Sequence, residues 1–207
     1  MKKNNTPQTA DRLLDAAEKL FAEKGFYGTS IRDISQCLSI AKSSLLHHFP
    51  TKEKMYGAVL NKIAGEMTEE VRIIRQSVED EREQLRQFIR LLWENSQKKP
   101  NRENIIIREM LDNPKRADKV KKWFFVDYLN ELSSIVRSGQ IKGLFKPVVP
   151  EVFIFQLLGA HRYVVISLPT VKQFFPPETY QRVYKEHTRE LEEFVKERLF
   201  FKEPSCK

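Results

Sequence analysis

Apolar positions along the chain recur at three- and four-residue steps, the spacing of one face of an α-helix. Ala10, Leu13, Leu14, Ala17, Leu20 and Phe21 form the first such stripe. Thr6-Pro7 ahead of it offers an N-cap and a proline at the first helical position, and Gly25 closes the helix. Ser30-Ile31-Arg32-Asp33 then reads as a cap with an acid three residues on, opening a short helix whose inner face is Ile31, Ile34 and Leu38. A third short helix is predicted over Lys42 to His48, with Leu45 and Phe49 inward, and Pro50-Thr51 breaks it. Thr51-Lys52-Glu53-Lys54 opens a fourth, with Met55, Val59 and Ile63 on one side.

From there the pattern predicts longer helices over roughly 52–78, 81–98, 102–111, 115–138, 150–167 and 177–200. The breaks fall at Lys99-Pro100-Asn101, Asn113-Pro114, Gly139 to Gly143, Pro147 to Pro150, Pro169 and Pro176-Pro177. No period-two run competes with these helices and heptads are not sustained, so neither a sheet nor a long coiled coil is expected. The expected fold class is all-α with about nine helices. An N-terminal three-helix domain covers 1–54, and a C-terminal helical domain covers 55–207.

Composition narrows the class further. Only 7 glycines in 207 residues, with 31% charged residues, disfavour a turn-rich all-β fold, and 41% hydrophobic residues disfavour wholesale disorder. Lys and Arg outnumber Asp and Glu by 36 to 28, a net charge of +8 that suits a polyanionic partner. Cys37 and Cys206 make no disulfide framework, so a reducing compartment fits, and Cys37 between Ile34 and Leu38 reads as a small packed residue. The basic opening Met1 to Pro7 leads into no apolar run, and the most apolar stretch, Tyr163 to Leu168, is too short to cross a bilayer. A cytoplasmic protein with no membrane contact is expected. Eleven of the 14 Phe and both Trp lie beyond residue 56, which provides rings for an apolar interior or for dimer packing.

The chemistry concentrates in residues 30–49: a capped helix, a tight turn at Leu38-Ser39-Ile40-Ala41, then a second short helix. This is the layout of a helix-turn-helix, whose second helix enters the major groove of DNA while the first braces it. Between Asp33 and Glu53 there is no acidic residue, whereas Lys42, His47, His48 and Lys52 all fall there. A carboxylate on that surface would be pushed against phosphates, while basic groups release condensed counterions on binding.

The run from Ala16 through Glu23-Lys24-Gly25-Phe26-Tyr27-Gly28-Thr29-Ser30-Ile31-Arg32-Asp33-Ile34, continued by Ser43-Ser44-Leu45-Leu46-His47-His48-Phe49-Pro50-Thr51-Lys52-Glu53, resembles the TetR family of bacterial transcriptional regulators. The likeness covers about residues 9–60; beyond it only the family's general plan is matched, a divergent helical ligand-binding and dimerisation domain. The resemblance implies that Lys42 and Ser43 reach base edges and that Ser44 reaches a base or a phosphate. It implies phosphate contacts for His47, His48, Lys52 and Thr29, and a DNA contact for Arg32. Three departures stand out: Ser39 replaces a turn glycine, Ala41 replaces a capping Ser or Thr, and Leu46 replaces an aromatic, usually Tyr. Leu46 would then pack on a thymine methyl.

The remaining features have plainer readings. Adjacent His47 and His48 diverge by about 100° on a helix, which does not suit a metal pair, and no metal or cofactor is expected. His161 reads as a satisfied helix histidine, with pocket or interface lining as the alternative. The charge runs at Glu79 to Glu83 and Lys115 to Lys122 read as solvated faces, with an anionic head group as the alternative task for the latter and for Arg108. No catalytic motif occurs, so no enzyme is expected. The resemblance implies a homodimeric repressor, paired through 150–167 and 177–200, with Gly159 and Ala160 allowing close approach and Phe153, Leu157, Phe194 and Val195 as anchors. It would read a pseudo-palindromic operator in double-stranded DNA and be released by a small apolar or amphipathic effector. A ligand-independent DNA-binding or architectural module is the alternative.

Overall fold

The computed structural model describes residues 7–112 and 123–201, and among them the chain forms nine helices and a single β-bridge, Phe145 to Phe200. The helices are α1 (Pro7–Gly28), α2 (Ile31–Cys37), α3 (Lys42–His48), α4 (Lys52–Ser77), α5 (Glu81–Lys98), α6 (Pro100–Asp112), α7 (Val126–Ile141), α8 (Pro150–Phe174) and α9 (Pro177–Leu199). Gly25 interrupts α1 with φ +71°, a left-handed conformation open to glycine because it has no Cβ. Thr6, the Lys115 to Lys122 run and Cys206 lie outside the described residues; of the helix expected over 115–138, residues 123–125 are described and not helical, and α7 begins only at Val126 and runs through Gly139 to Ile141.

The main departure from the expected elements is α8. It passes through Pro169 to Phe174 instead of stopping near 167. Proline removes one N–H donor, and at an exposed position water can serve the carbonyl one turn back. The longer helix is long and apolar enough, by length and composition, to cross a membrane, contrary to the expectation drawn from Tyr163 to Leu168. Only 28% of its apolar window is buried.

By packing, the chain divides into two units. Among the described residues the first takes in those up to Glu66 together with Lys99 to Asp112, Trp123 and Phe124, so α6 packs on α1 alongside α2, α3 and the first half of α4. Its core is Leu13, Ala17, Phe21, Ile34, Leu45, Met55, Val59 and Ile63. These are the inward positions read from helical period. Rings of Phe21, Phe26 and Tyr56 meet edge-on, with Tyr56 4.8 Å from Phe21 and 5.1 Å from Phe26. Lys62 pairs with Asp15 at 2.7 Å and holds α4 to α1.

The second unit contains the rest of α4 with α5, α7, α8 and α9. Leu85, Phe88, Ile89, Leu132, Ile135, Phe153, Ile154, Leu157 and Val195 fill its core. At Gly139 a Cβ would lie 2.2 Å from the Phe145 ring, so α7 needs glycine where that ring stacks on Phe200. Glu81, 3% exposed, accepts hydrogen bonds from Ser138 and Lys142, and these partners hold its carboxyl below the usual range although burial pushes the other way.

Candidate nucleic-acid interface

The capping box at the start of α2 is complete. The Asp33 N–H donates to Ser30 Oγ at 3.1 Å, and the Ser30 N–H donates to Asp33 Oδ2 at 2.8 Å. The Ser30 donors hold the Asp33 carboxyl below its ordinary pKa and point it into the cap, away from an approaching phosphate. At the far end of α2, Ile40 N–H returns to the Ser35 carbonyl at 3.0 Å, and Ser39 takes φ +52°. Among the described residues Ser39 alone, glycines aside, has a positive φ. The turn that usually carries glycine has kept its shape around a serine. Ala41 then sits at the N-cap of α3 with no side-chain hydrogen bond.

Leu45 is fully buried and seats α3 against α2. At about 100° per residue, the direction opposite Leu45 falls between Ser43 and His47. The structure agrees: Lys42, Ser43, Ser44 and His47 are exposed, and Leu46 and His48 are half-buried. Leu46 therefore lies on the flank of the outer face. The rings of His47 and His48 stand 5.8 Å apart, edge to face. Arg32 is exposed on α2, and neither it nor Lys42 takes part in a salt bridge among the described residues. Cys37 is exposed at the end of α2, so it is not the packed residue expected. The outer face of a seven-residue helix thus carries Lys42, two serines and an imidazole, with Arg32 on the neighbouring helix.

Thr29 and Lys52 have tasks other than those expected. Thr29 is 1% exposed, and its hydroxyl donates to the Leu20 and Gly25 carbonyls at 3.1 and 2.8 Å. Lys52 is half-buried; its Nζ donates to the Phe26 and Thr29 carbonyls at 2.9 and 3.0 Å and lies 4.3 Å above the Phe26 ring. Two of its three donors are occupied, leaving one for a phosphate. Arg108, from α6, donates to the Ala22 and Glu23 carbonyls at 3.2 and 3.1 Å. A helix C-terminus leaves four carbonyls without intrahelical donors. Here Thr29, Lys52 and Arg108 serve carbonyls in and just after the last turns of α1, and the two cations oppose the negative end of the helix dipole. Sequence reasoning missed this group because Arg108 lies far along the chain from the α1 carbonyls its guanidinium serves.

A capped helix, a tight turn and a short outward-facing second helix form the geometry of a helix-turn-helix. A family model described as bacterial regulatory proteins, tetR family, matches residues 13–59, the segment that builds this geometry. Residues 13–59 thus carry the likeness to the DNA-binding segment of the TetR family. Among its relatives, the transcriptional repressor NicS of Pseudomonas putida is 28% identical over 141 residues, spanning 67% of this chain and just under two thirds, 66%, of the relative. The transcriptional repressor KstR2 of Rhodococcus jostii is 37% identical over 82 residues, 40% of each chain. A Saccharomonospora viridis protein solved in complex with choline matches with TM-score 0.73 at 18% identity, covering 95% of this chain and all of the other. That last likeness shows the fold. These relatives are named as transcriptional repressors and not as enzymes, which supports a DNA-binding regulator of TetR type.

Proposed function

We propose that the protein is a cytoplasmic homodimeric repressor that binds a pseudo-palindromic operator and is released by a small apolar or amphipathic effector. In this reading residues 1–54 contact DNA and residues 55–207 bind effector and partner subunit. The observation that carries it is the exposed, acid-free face of α3 beside an exposed Arg32 that joins no salt bridge among the described residues. Lys42 and Ser43 reach base edges, Ser44 a base or phosphate, and Leu46 a thymine methyl from the flank. Arg32, His47 and His48 bond phosphates and set register. Lys52 adds its remaining donor, and Thr29 supports the interface from inside. Repression is supported by the names of the two repressor relatives, and a small-molecule site by the choline-bound structural neighbour.

Dimerisation through α8 and α9 is supported by what those helices leave uncovered. Phe155, Tyr163, Ile166 and Phe194 are 47–71% exposed, and Gly159 has nothing within 4 Å of its Cβ position. Of the four expected anchors, Phe153, Leu157 and Val195 are 1–2% exposed and belong to the core of their own unit; Phe194 alone faces outward. A second copy covers this face better than lipid does, because Arg162 sits mid-helix where a charge in a bilayer costs at least ~2.5–3.5 kcal/mol.

The test is operator binding to DNA from upstream of the protein's own gene, measured by anisotropy across a salt series. Lys42→Ala is expected to lose about 1–3 kcal/mol of affinity and to alter base preference, whereas Arg32→Ala flattens the log–log salt slope by about one. Lys52→Ala is expected to lower the melting temperature as well. Binding indifferent to sequence at every salt concentration would overturn the reading.

A further inference from the structure

The second unit contains a polar cluster that apolar packing does not explain. His161 of α8 is 1% exposed; its Nδ1 lies 3.1 Å from His187 Nε2 on α9, and its own Nε2 is buried with no hydrogen-bond partner. The Trp93 ring of α5 lies 5.1 Å from His187, 6.4 Å from His161 and 5.1 Å from Tyr184. His187, Trp93 and Tyr184 are each half-buried, so the side chains around the buried His161 ring themselves reach solvent. Tyr184 donates in turn to Gln97 at 3.2 Å. An unpaired nitrogen at such depth is worse than an apolar group of the same shape, which marks it as a place where a partner belongs.

The chemistry around the rings selects that partner. Burial, then the charges of His187 and Arg162, pushes His161 down to about 3, and burial lowers His187 also. Both rings are neutral at pH 7, and one donates to the other. Among the described residues no carboxylate acts on either ring, and the fixed charge beside them is the Arg162 cation. A cationic ligand meets repulsion there. An anion meets a group that a proton would turn into its counter-ion.

We propose that His161 and His187 anchor the polar end of the effector, and that the effector is an organic carboxylate whose apolar body packs on Trp93 and Tyr184. This rests on the effector-responsive reading above. With His161 Nδ1–H donating to His187 Nε2, His161 Nε2 carries no proton, so an ionised carboxylate docks there only with one proton taken from solvent and held between its oxygen and that nitrogen. Binding therefore consumes one proton per ligand, wherever along that hydrogen bond the proton sits.

Calorimetry on the full chain at pH 7, in two buffers of different ionisation enthalpy, tests this with benzoate, decanoate, the matching alcohols and benzyltrimethylammonium. The expected result is that a carboxylate binds at least tenfold tighter than its alcohol or the ammonium, takes up close to one proton, and changes Trp93 fluorescence in a Trp123→Phe background. His161→Leu should weaken it at least tenfold while leaving ligand-free operator binding intact. His187→Leu should remove the proton uptake, and it serves if the first variant does not fold. Equal binding of acid and alcohol, absence of proton uptake, or no carboxylate binding overturns the proposal. Carboxylate binding that leaves operator occupancy unchanged would keep this site and sink the effector reading. Operator release by the alcohol or ammonium, equal in wild type and His161→Leu, would do the reverse.

Discussion

At the scale of single residues, the helix-turn-helix holds its shape against two local preferences. Ser39 occupies a left-handed conformation that costs an L-residue roughly 1–2 kcal/mol. Glycine there gives up roughly 0.5–1 kcal/mol in unfolded-state freedom, so Ser39→Gly is expected to stabilise by about 0.5–1 kcal/mol. Ala41→Ser, which restores a cap to α3, should add about 1 kcal/mol. Urea unfolding measures both, and destabilisation by either would show that tertiary packing shapes the turn differently. His161 gives a pH dependence. Its ordinary value of 6.5 falls to about 3 on folding, so the unfolded chain binds a proton that the folded chain refuses. The stabilisation is fully present above pH 6.5 and is lost as pH falls toward 3, with a slope of at most about 1.4 kcal/mol per pH unit. Melting temperatures should therefore decline from pH 6.5 to 5, and His161→Leu should flatten that decline. The outcome that sinks this is an unchanged slope in the variant.

Between elements, the end of α1 is the point where three distant side chains converge. Arg108 binds two carbonyls beside a glycine that breaks the helix, while Tyr56 donates to the buried Glu109 at 2.9 Å, so α6 fastens to both α1 and α4 within the first unit. Arg108 is exposed, which weakens each charged hydrogen bond; Arg108→Ala is expected to cost about 1–2 kcal/mol, and Arg108→Lys to recover less than half. Amide exchange across Leu20 to Thr29 should quicken in the alanine variant. Protection unchanged there would mean that Thr29 and Lys52 cap the helix unaided.

At the scale of the whole molecule, the decisive surface is the outer face of α8 and α9. Phe155 and Tyr163 are 50% and 71% exposed, so charging them leaves the core of the second unit untouched. Phe155→Glu combined with Tyr163→Glu is expected to give a folded monomer in sedimentation and more than tenfold weaker operator binding. A wild-type chain that sediments as a monomer at micromolar concentration would contradict the dimer.

The sequence by itself determined the helical class, most helix positions and the helix-turn-helix, since period, caps and turn residues act over a few positions of the chain. It also placed Leu45 inward and Ser30 and Asp33 in a capping box, because both depend on spacing along one helix. Tertiary structure decided that Thr29 and Lys52 point into the α1 terminus, that Arg108 joins them, and that Cys37 faces solvent. It decided too that α8 continues past Pro169, and that three of four expected interface residues are core. These outcomes turn on which carbonyls and apolar faces remain unsatisfied once helices pack. That depends on partners dozens of residues away, which local periodicity does not encode.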